Sequence, residues 1–231
     1  MKLTKIAIAL VAVLAMSALT ASAASANYQS SAATVDLEGN QNGKHAFKVD
    51  GQAVECNVAK FTRNGLETPA NEVSKVVASY SNCTAFGFAG ASVTMGSCTY
   101  NFDATTAGPM ANVDFACTNN ANDNEGENTG DARIFSTVFG SECEVHVDSV
   151  EREDPVNKVK GINTNLSTLN FSNNEPGGGD VRVGAAVTGI VAEKTKDNGL
   201  CPLSGTGVTV NATYNGNTDV TGDGAKTISV N

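Results

Sequence analysis

The residues of this 231-residue chain with the most distinctive chemistry are six cysteines, at positions 56, 83, 98, 117, 143 and 201, and two histidines, His45 and His146. Thiolates with imidazoles would suggest zinc, yet zinc sites draw on closely spaced ligand pairs and the chain has no Cys-x-x-Cys. An even set of well-separated cysteines predicts disulfides instead. The histidines do not form a recognisable catalytic set either, since neither a Gly-x-Ser-x-Gly elbow nor a His-Glu-x-x-His helix motif is present. His146 alternates with Cys143, Val145 and Val147, so it is expected on the opposite, polar face of its strand. His45 opens a strand with Phe47 and Val49 on its own face, and both histidines read as structural.

Carboxylates offer two further chemistries. Glu151, Glu153 and Asp154 lie together in "DSVEREDPVNK", where glycoside hydrolysis would need a positioned acid pair and a solvated turn is the simpler reading. The chain has no Trp with which to build a sugar platform. Oxygen ligands for calcium are the candidate metal chemistry: Asp123, Glu125, Glu127 and Asp131 in "DNEGENTGD", with Asp219 and Asp223 in "NTDVTGDG". Neither stretch follows the EF-hand loop, so no resident cofactor is expected and calcium at Asp123, Glu125, Glu127 and Asp131 is the one metal reading carried forward.

These groups must be positioned by strands. Short segments rich in Val, Thr, Phe and Tyr, often alternating and separated by Gly, Asn, Asp and Ser, recur from "ATVDL" at 33–37 to "KTISV" at 226–230, and no helical period persists between caps. The expected class is all-β, a disulfide-stapled antiparallel sandwich or sandwich-like fold with Greek-key or meander connections. Residues 1–23 have the charged, apolar and small-residue layout of a signal peptide, leaving 24–231 as a single extracellular β domain with a candidate subdivision near 172–180. Removal of the signal deletes two lysines and no acid, taking the net charge from −9 to −11. That charge disfavours nucleic acid and anionic lipid, and no second apolar run is long enough for a membrane span.

Register predicts one disulfide. Taking Gly96-Ser97 as a two-residue hairpin turn sets Met95 opposite Cys98, Val93 opposite Tyr100 and Ala91 opposite Phe102, with Ser92, Thr94, Thr99 and Asn101 on the other face. Pairing Phe102 with Val113 then sets Tyr100 against Phe115 and Cys98 against Cys117. Three pairings of the other four cysteines remain open. Cys56–Cys83, the shorter closure, with Cys143–Cys201 as remainder is favoured.

The segments "VDGQAVECNVAKF", "VVASYSNCTAFGFAGASVTMGSCTYNF", "VDFACTN", "SECEVHV", "VRVGAAVTGIVAEKTKDNGLCPLSG" and "TYNGNTDVTG" resemble a group of uncharacterised secreted proteins of Solirubrobacter-type actinobacteria. "YxxCTAFG" is the most distinctive shared element, and the resemblance spans roughly residues 30–223. It implies export and a cysteine-stapled β fold, and it carries no catalytic residues. "GSCTY" and the acidic insert at 117–132 depart from the group.

Together these features point to a secreted or cell-surface, non-enzymatic β protein with a structural or interaction role. The alternative is an extracellular module binding carbohydrate or another envelope component, and a secreted hydrolase ranks below it. An extracellular protein or glycan is the expected partner. "AFGFAG" at 85–90 has no strand chemistry of its own, so Phe86 and Phe88 are the residues expected to line a ligand pocket.

Overall fold

The computed structural model describes residues 28–103, 110–118, 130–149, 151–153, 160–173, 180–197, 200–203 and 205–231. Residues 1–23, read from the sequence as a signal peptide, lie outside this set, as do Asp123, Glu125, Glu127 and Asp154. Among the described residues there is no helix, and the strands in chain order are β1 (Tyr28–Ser30), β2 (Thr34–Gln41), β3 (His45–Val49), β4 (Gln52–Glu67), β5 (Glu72–Ala85), β6 (Ala89–Thr94), β7 (Cys98–Asp103), β8 (Met110–Cys117), β9 (Ala132–Val138), β10 (Ser141–Val147), β11 (Arg152–Glu153), β12 (Lys160–Gly161), β13 (Leu166–Asn173), β14 (Val181–Asp197), β15 (Gly207–Gly222) and β16 (Ile228–Val230).

The protein is all-β, antiparallel and held by three disulfides, Cys56–Cys83, Cys98–Cys117 and Cys143–Cys201. Its main sheet closes on itself, so the two faces expected of a sandwich are opposite walls of one barrel and the connections form a meander. Four long strands, β4, β5, β14 and β15, run the full height. The lower ring is β2-β4-β5-β7-β8-β13-β14-β15, and the upper ring is β3-β4-β5-β6-β9-β10-β14-β15, eight strands at either level. β13 and β14, on either side of the 172–180 stretch, pair with each other within this barrel.

The shorter strands lie end to end in pairs along the long ones, and here one expectation is corrected. β6 and β7 do not form a hairpin across Gly96-Ser97: β6 pairs with the end of β5, Cys83 opposite Ala91, while β7 pairs with its beginning, Val76 opposite Tyr100. Gly96 at φ 54° and the Met95 carbonyl, which accepts from the Cys98 amide at 2.9 Å, make a bulge within one continuing strand. The hairpin turn is instead Phe86-Gly87, at φ 58° and 80°, joining β5 to β6. Primed turns match the twist of paired strands, and Asp50-Gly51 and Phe139-Gly140 repeat that conformation at the same upper end. The facing expected for residues 91–102 survives the correction. Ser92 and Thr94 are exposed, Val93 and Met95 pack on the core, and Cys98, Tyr100 and Phe102 stand opposite Cys117, Phe115 and Val113.

Alternation also explains which side of the barrel is dry. Lys60, Thr62 and Asn64 of β4 are exposed, whereas Val35, Val73, Val113, Leu169 and Val181 are buried in the apolar core. Lipid-facing barrels have the reverse arrangement. No described helix is long and apolar enough to cross a membrane.

Two devices finish the barrel. Where the wall between β10 and β13 is interrupted, the fully buried Asn163 stands in for a strand residue: its Nδ2 donates to the carbonyls of Asp148 (2.7 Å) and Val191 (2.9 Å), and its Oδ1 accepts from the Val191 amide (2.8 Å). Without it those backbone groups would be buried unpaired. At the lower end β1 pairs with β16, and Tyr28 exchanges backbone hydrogen bonds with Ala70 in the β4–β5 connection. The Tyr28 ring meets Phe171 edge-on at 5.6 Å.

Candidate functional site

An eight-stranded barrel is just wide enough to be filled by side chains or to hold one small ligand. This one keeps a cavity of about 180 Å³, bordered by residues such as Val35, Leu66, Val76, Phe102, Val113, Leu169 and Phe171, with Tyr28 at its lower end. Hydrocarbon and aromatic rings dominate its wall, and its polar features are a chain of four side chains across the middle of the barrel together with Arg63, Asn163 and several threonines on the lining.

That chain begins at a glycine. On β15, Tyr214, Gly216 and Thr218 share one face by alternation, and a Cβ on Gly216 would lie 2.3 Å from His45 Nδ1. The missing side chain is the space the imidazole occupies. β3 runs beside β15, with Ala46 opposite Asn215, and this register brings His45 level with Gly216. His45 is 2 % exposed and stands between the rings of Phe61 and Tyr214, at 5.6 and 5.7 Å. Its Nε2 donates to the Asn217 carbonyl at 2.9 Å, and its Nδ1 lies 2.5 Å from the Tyr214 hydroxyl. Tyr214 is 3.1 Å from the Tyr80 hydroxyl, and Tyr80 is 3.2 Å from that of Tyr100.

The direction of every bond in this chain is determined. A carbonyl only accepts, so His45 Nε2 carries a proton. Burial lowers the His45 pKa from 6.5, against the raising effect of the Asn217 hydrogen bond, which keeps the ring neutral near pH 7 and leaves Nδ1 as an acceptor. Tyr214 therefore donates to Nδ1. Its single proton being used, Tyr214 must accept from Tyr80, and Tyr80 by the same reasoning accepts from Tyr100. Burial also pushes the three phenols well above their ordinary pKa, so all remain protonated. The chain ends at Tyr100, whose proton is committed and whose oxygen, bordering the cavity, can only accept.

A second polar cluster lies outside, on β9, β10 and β14. Glu144 receives Arg133 through Nε at 2.7 Å and Nη2 at 2.9 Å, His146 Nε2 at 2.7 Å, and Lys196 Nζ at 3.0 Å. Desolvation works to raise the pKa of this buried carboxyl, but the hydrogen bonds from Arg133, His146 and Lys196 outweigh it and hold the group down at about 2. Asp131, 3 % exposed, lies with Oδ2 at 3.6 Å from His146 Nδ1. This is an ion-pair network joining three strands. Of the calcium candidates, Asp131 is thus placed against a histidine, and the other three lie outside the described residues. Asp219 is held by Arg182 at 2.7 Å and Asn42 at 2.7 Å, and Asp223 by Lys226 and the Asp36 amide. Among the described residues no group of three or more His, Cys, Asp or Glu side chains could hold a metal ion.

The other sequence candidates separate. Phe86 borders a small upper cavity of about 20 Å³ together with Phe47, Val54 and Leu203, space for no more than a water. Phe88 is 61 % exposed on the outside, its ring 5.9 Å from that of Phe139. Glu151 and Glu153 are exposed beside β11. Sequence reasoning placed Tyr100 in the core, reached His45 without its partners and missed Tyr80 and Tyr214. The available signal was a tyrosine two residues before a glycine in "TYNGN", an inward aromatic beside an inward gap. Comparison with protein-family models, with curated proteins and with solved structures finds no match to this chain.

Proposed function

We propose that this is a secreted, non-enzymatic binding protein that holds a small apolar molecule inside its barrel. The observation that carries the reading is the cavity of about 180 Å³ ringed mainly by apolar side chains inside an eight-stranded barrel. Close packing is the rule for protein interiors, and an unfilled void of this size costs stability, which occupation by a ligand would offset. Within the extracellular-module reading, an apolar wall favours a hydrophobic ligand over a carbohydrate, whose hydroxyls would go unpaired there. The disulfides suit an oxidising compartment, which agrees with export, and the acidic surface keeps such a carrier dispersed.

The chain of four hydrogen-bonded side chains is not a catalytic apparatus. Its histidine has both nitrogens occupied, and the phenol that donates to it, Tyr214, is held protonated by burial, so the pair supplies no phenolate nucleophile. Binding is tested directly by titrating the purified protein with toluene, followed by calorimetry and by chemical-shift changes at Val113 and Leu169. Saturable binding is expected in the wild type. Ala185→Leu, which adds three carbons at the cavity wall, should weaken it about tenfold or more by occupying ligand space. Absence of binding in the folded wild type rejects the reading.

A further inference from the structure

We infer that the cavity selects a small neutral phenol or aromatic alcohol, whose hydroxyl donates to the phenolic oxygen of Tyr100. This inference rests on the binding reading above and specifies its ligand.

Three observations converge on it. The first is the polarity of the hydrogen-bond chain, which originates at one backbone carbonyl. The Asn217 oxygen also accepts from the Asn42 amide at 2.7 Å, so it is firmly held as an acceptor. From there the protons of His45, Tyr214, Tyr80 and Tyr100 all point the same way. Among the described residues Tyr100 makes no hydrogen bond other than that with Tyr80. It therefore offers the cavity lone pairs and no proton. A ketone, aldehyde or carboxylate placed there would face acceptor with acceptor. To accommodate one, the whole chain would have to reverse, which turns the proton of His45 Nε2 away from Asn217 or demands a charged imidazole inside an apolar barrel.

The second observation is size. An engineered apolar cavity of about 150 Å³ in another protein holds benzene, so about 180 Å³ accommodates one aromatic ring with one or two further heavy atoms. The third is the wall chemistry. Phe61, Tyr100, Phe102 and Phe115 contribute rings to the cavity, and Tyr100 lies 5.3 Å from Phe115 and 6.3 Å from Phe102. Such surfaces receive another ring edge-on or offset. At the lower end the buried Tyr28 hydroxyl has no hydrogen-bond partner among the described residues and borders the same cavity. Arg63 Nε, on the same lining, is likewise buried without a partner among the described residues, and buried polar atoms left unpaired are uncommon.

The experiment uses phenol, toluene and benzaldehyde as probes, which are donor-bearing, apolar and acceptor-only rings of similar size. Affinities are measured by calorimetry in the wild type, Tyr100→Phe and Tyr80→Phe, with melting curves confirming that each is folded. Tyr100→Phe should weaken phenol about tenfold, the usual cost of leaving a donor unpaired in an apolar site, and leave toluene unchanged or slightly tighter. Tyr80→Phe removes the acceptor of the Tyr100 proton, which then turns to the cavity. Benzaldehyde should gain about tenfold in that variant. A structural role alone would not produce this reversal. Toluene binding with phenol indifferent to Tyr100→Phe overturns the hydroxyl assignment and leaves the apolar cavity standing. If neither toluene nor phenol binds the folded wild type, both readings are overturned.

Discussion

His45 and His146 occupy opposite sides of the same barrel wall system. His45 is inside, among Phe61, Tyr80 and Tyr214, and its polar partners among the described residues are a carbonyl and a phenol. His146 is outside, between the carboxylates of Glu144 and Asp131. The difference teaches what each side of a closed sheet permits. Inside, with water excluded, neutrality is cheaper than charge, so polar groups appear as a chain of uncharged hydrogen bonds each relying on the next. Outside, charges can be brought together because water and opposing side chains share their compensation. The inner arrangement is therefore directional, the feature on which the proposed ligand selectivity rests. The outer one is an electrostatic clasp across β9, β10 and β14.

Breaking the inner region has the largest expected effect. Gly216→Ala places a methyl group against a ring held on both nitrogens, and the destabilisation should be about 3 kcal/mol, at the upper end for overpacking. Adding His45→Ala should recover part of this loss, so the double variant costs clearly less than the sum of the singles in denaturant unfolding. Strict additivity would mean that the glycine and the imidazole do not share the space. Glu144→Gln probes the outer clasp and should cost roughly 1–3 kcal/mol after allowing for solvent screening.

Acid separates the two regions further. Glu144 has a folded pKa of about 2 against 4.5 in the unfolded chain, so its contribution is complete above pH 4.5 and is lost as pH falls toward 2. His45 loses stability by a different route and earlier. Its folded pKa lies below 6.5, so as pH drops under 6.5 the unfolded chain takes up a proton that the folded protein refuses, and stability falls. Stability curves of the wild type, Glu144→Gln and His45→Phe should show the first variant flattened below pH 4.5 and the second flattened just below pH 6.5. The His45 effect is the smallest of those predicted here. A His45→Phe curve that parallels the wild type between pH 6.5 and 5 would show that the ring titrates freely.

Much of the scaffold is legible in local sequence. Alternation assigns Val93, Tyr100 and Phe102 to one face and Ser92, Thr94 and Asn101 to the other, and the Tyr100–Phe115 register carries Cys98 to Cys117. These statements need only neighbours along a strand and one adjacent strand. The error at Gly96-Ser97 is of the same local kind. A glycine at positive φ serves equally for a turn or a bulge, and what decides is the length of the strand alongside: β5 is long enough to pair with both β6 and β7.

The site was far less legible. Tyr80 and Tyr214 are separated by 134 residues, and His45 and Tyr214 by 169. No pattern within a window relates them, and the glycine that admits the imidazole is on a different strand from the histidine it admits. The sequence by itself determined that the protein is all-β, which residues of its strands face the core and that Cys98 can meet Cys117, because side-chain direction in a strand alternates whatever the overall fold. Only the tertiary structure decided that the sheet closes, that a cavity remains and that four polar side chains meet inside it in one orientation. Closure is a condition on all the strands around the ring together, and it sets which distant residues share the interior.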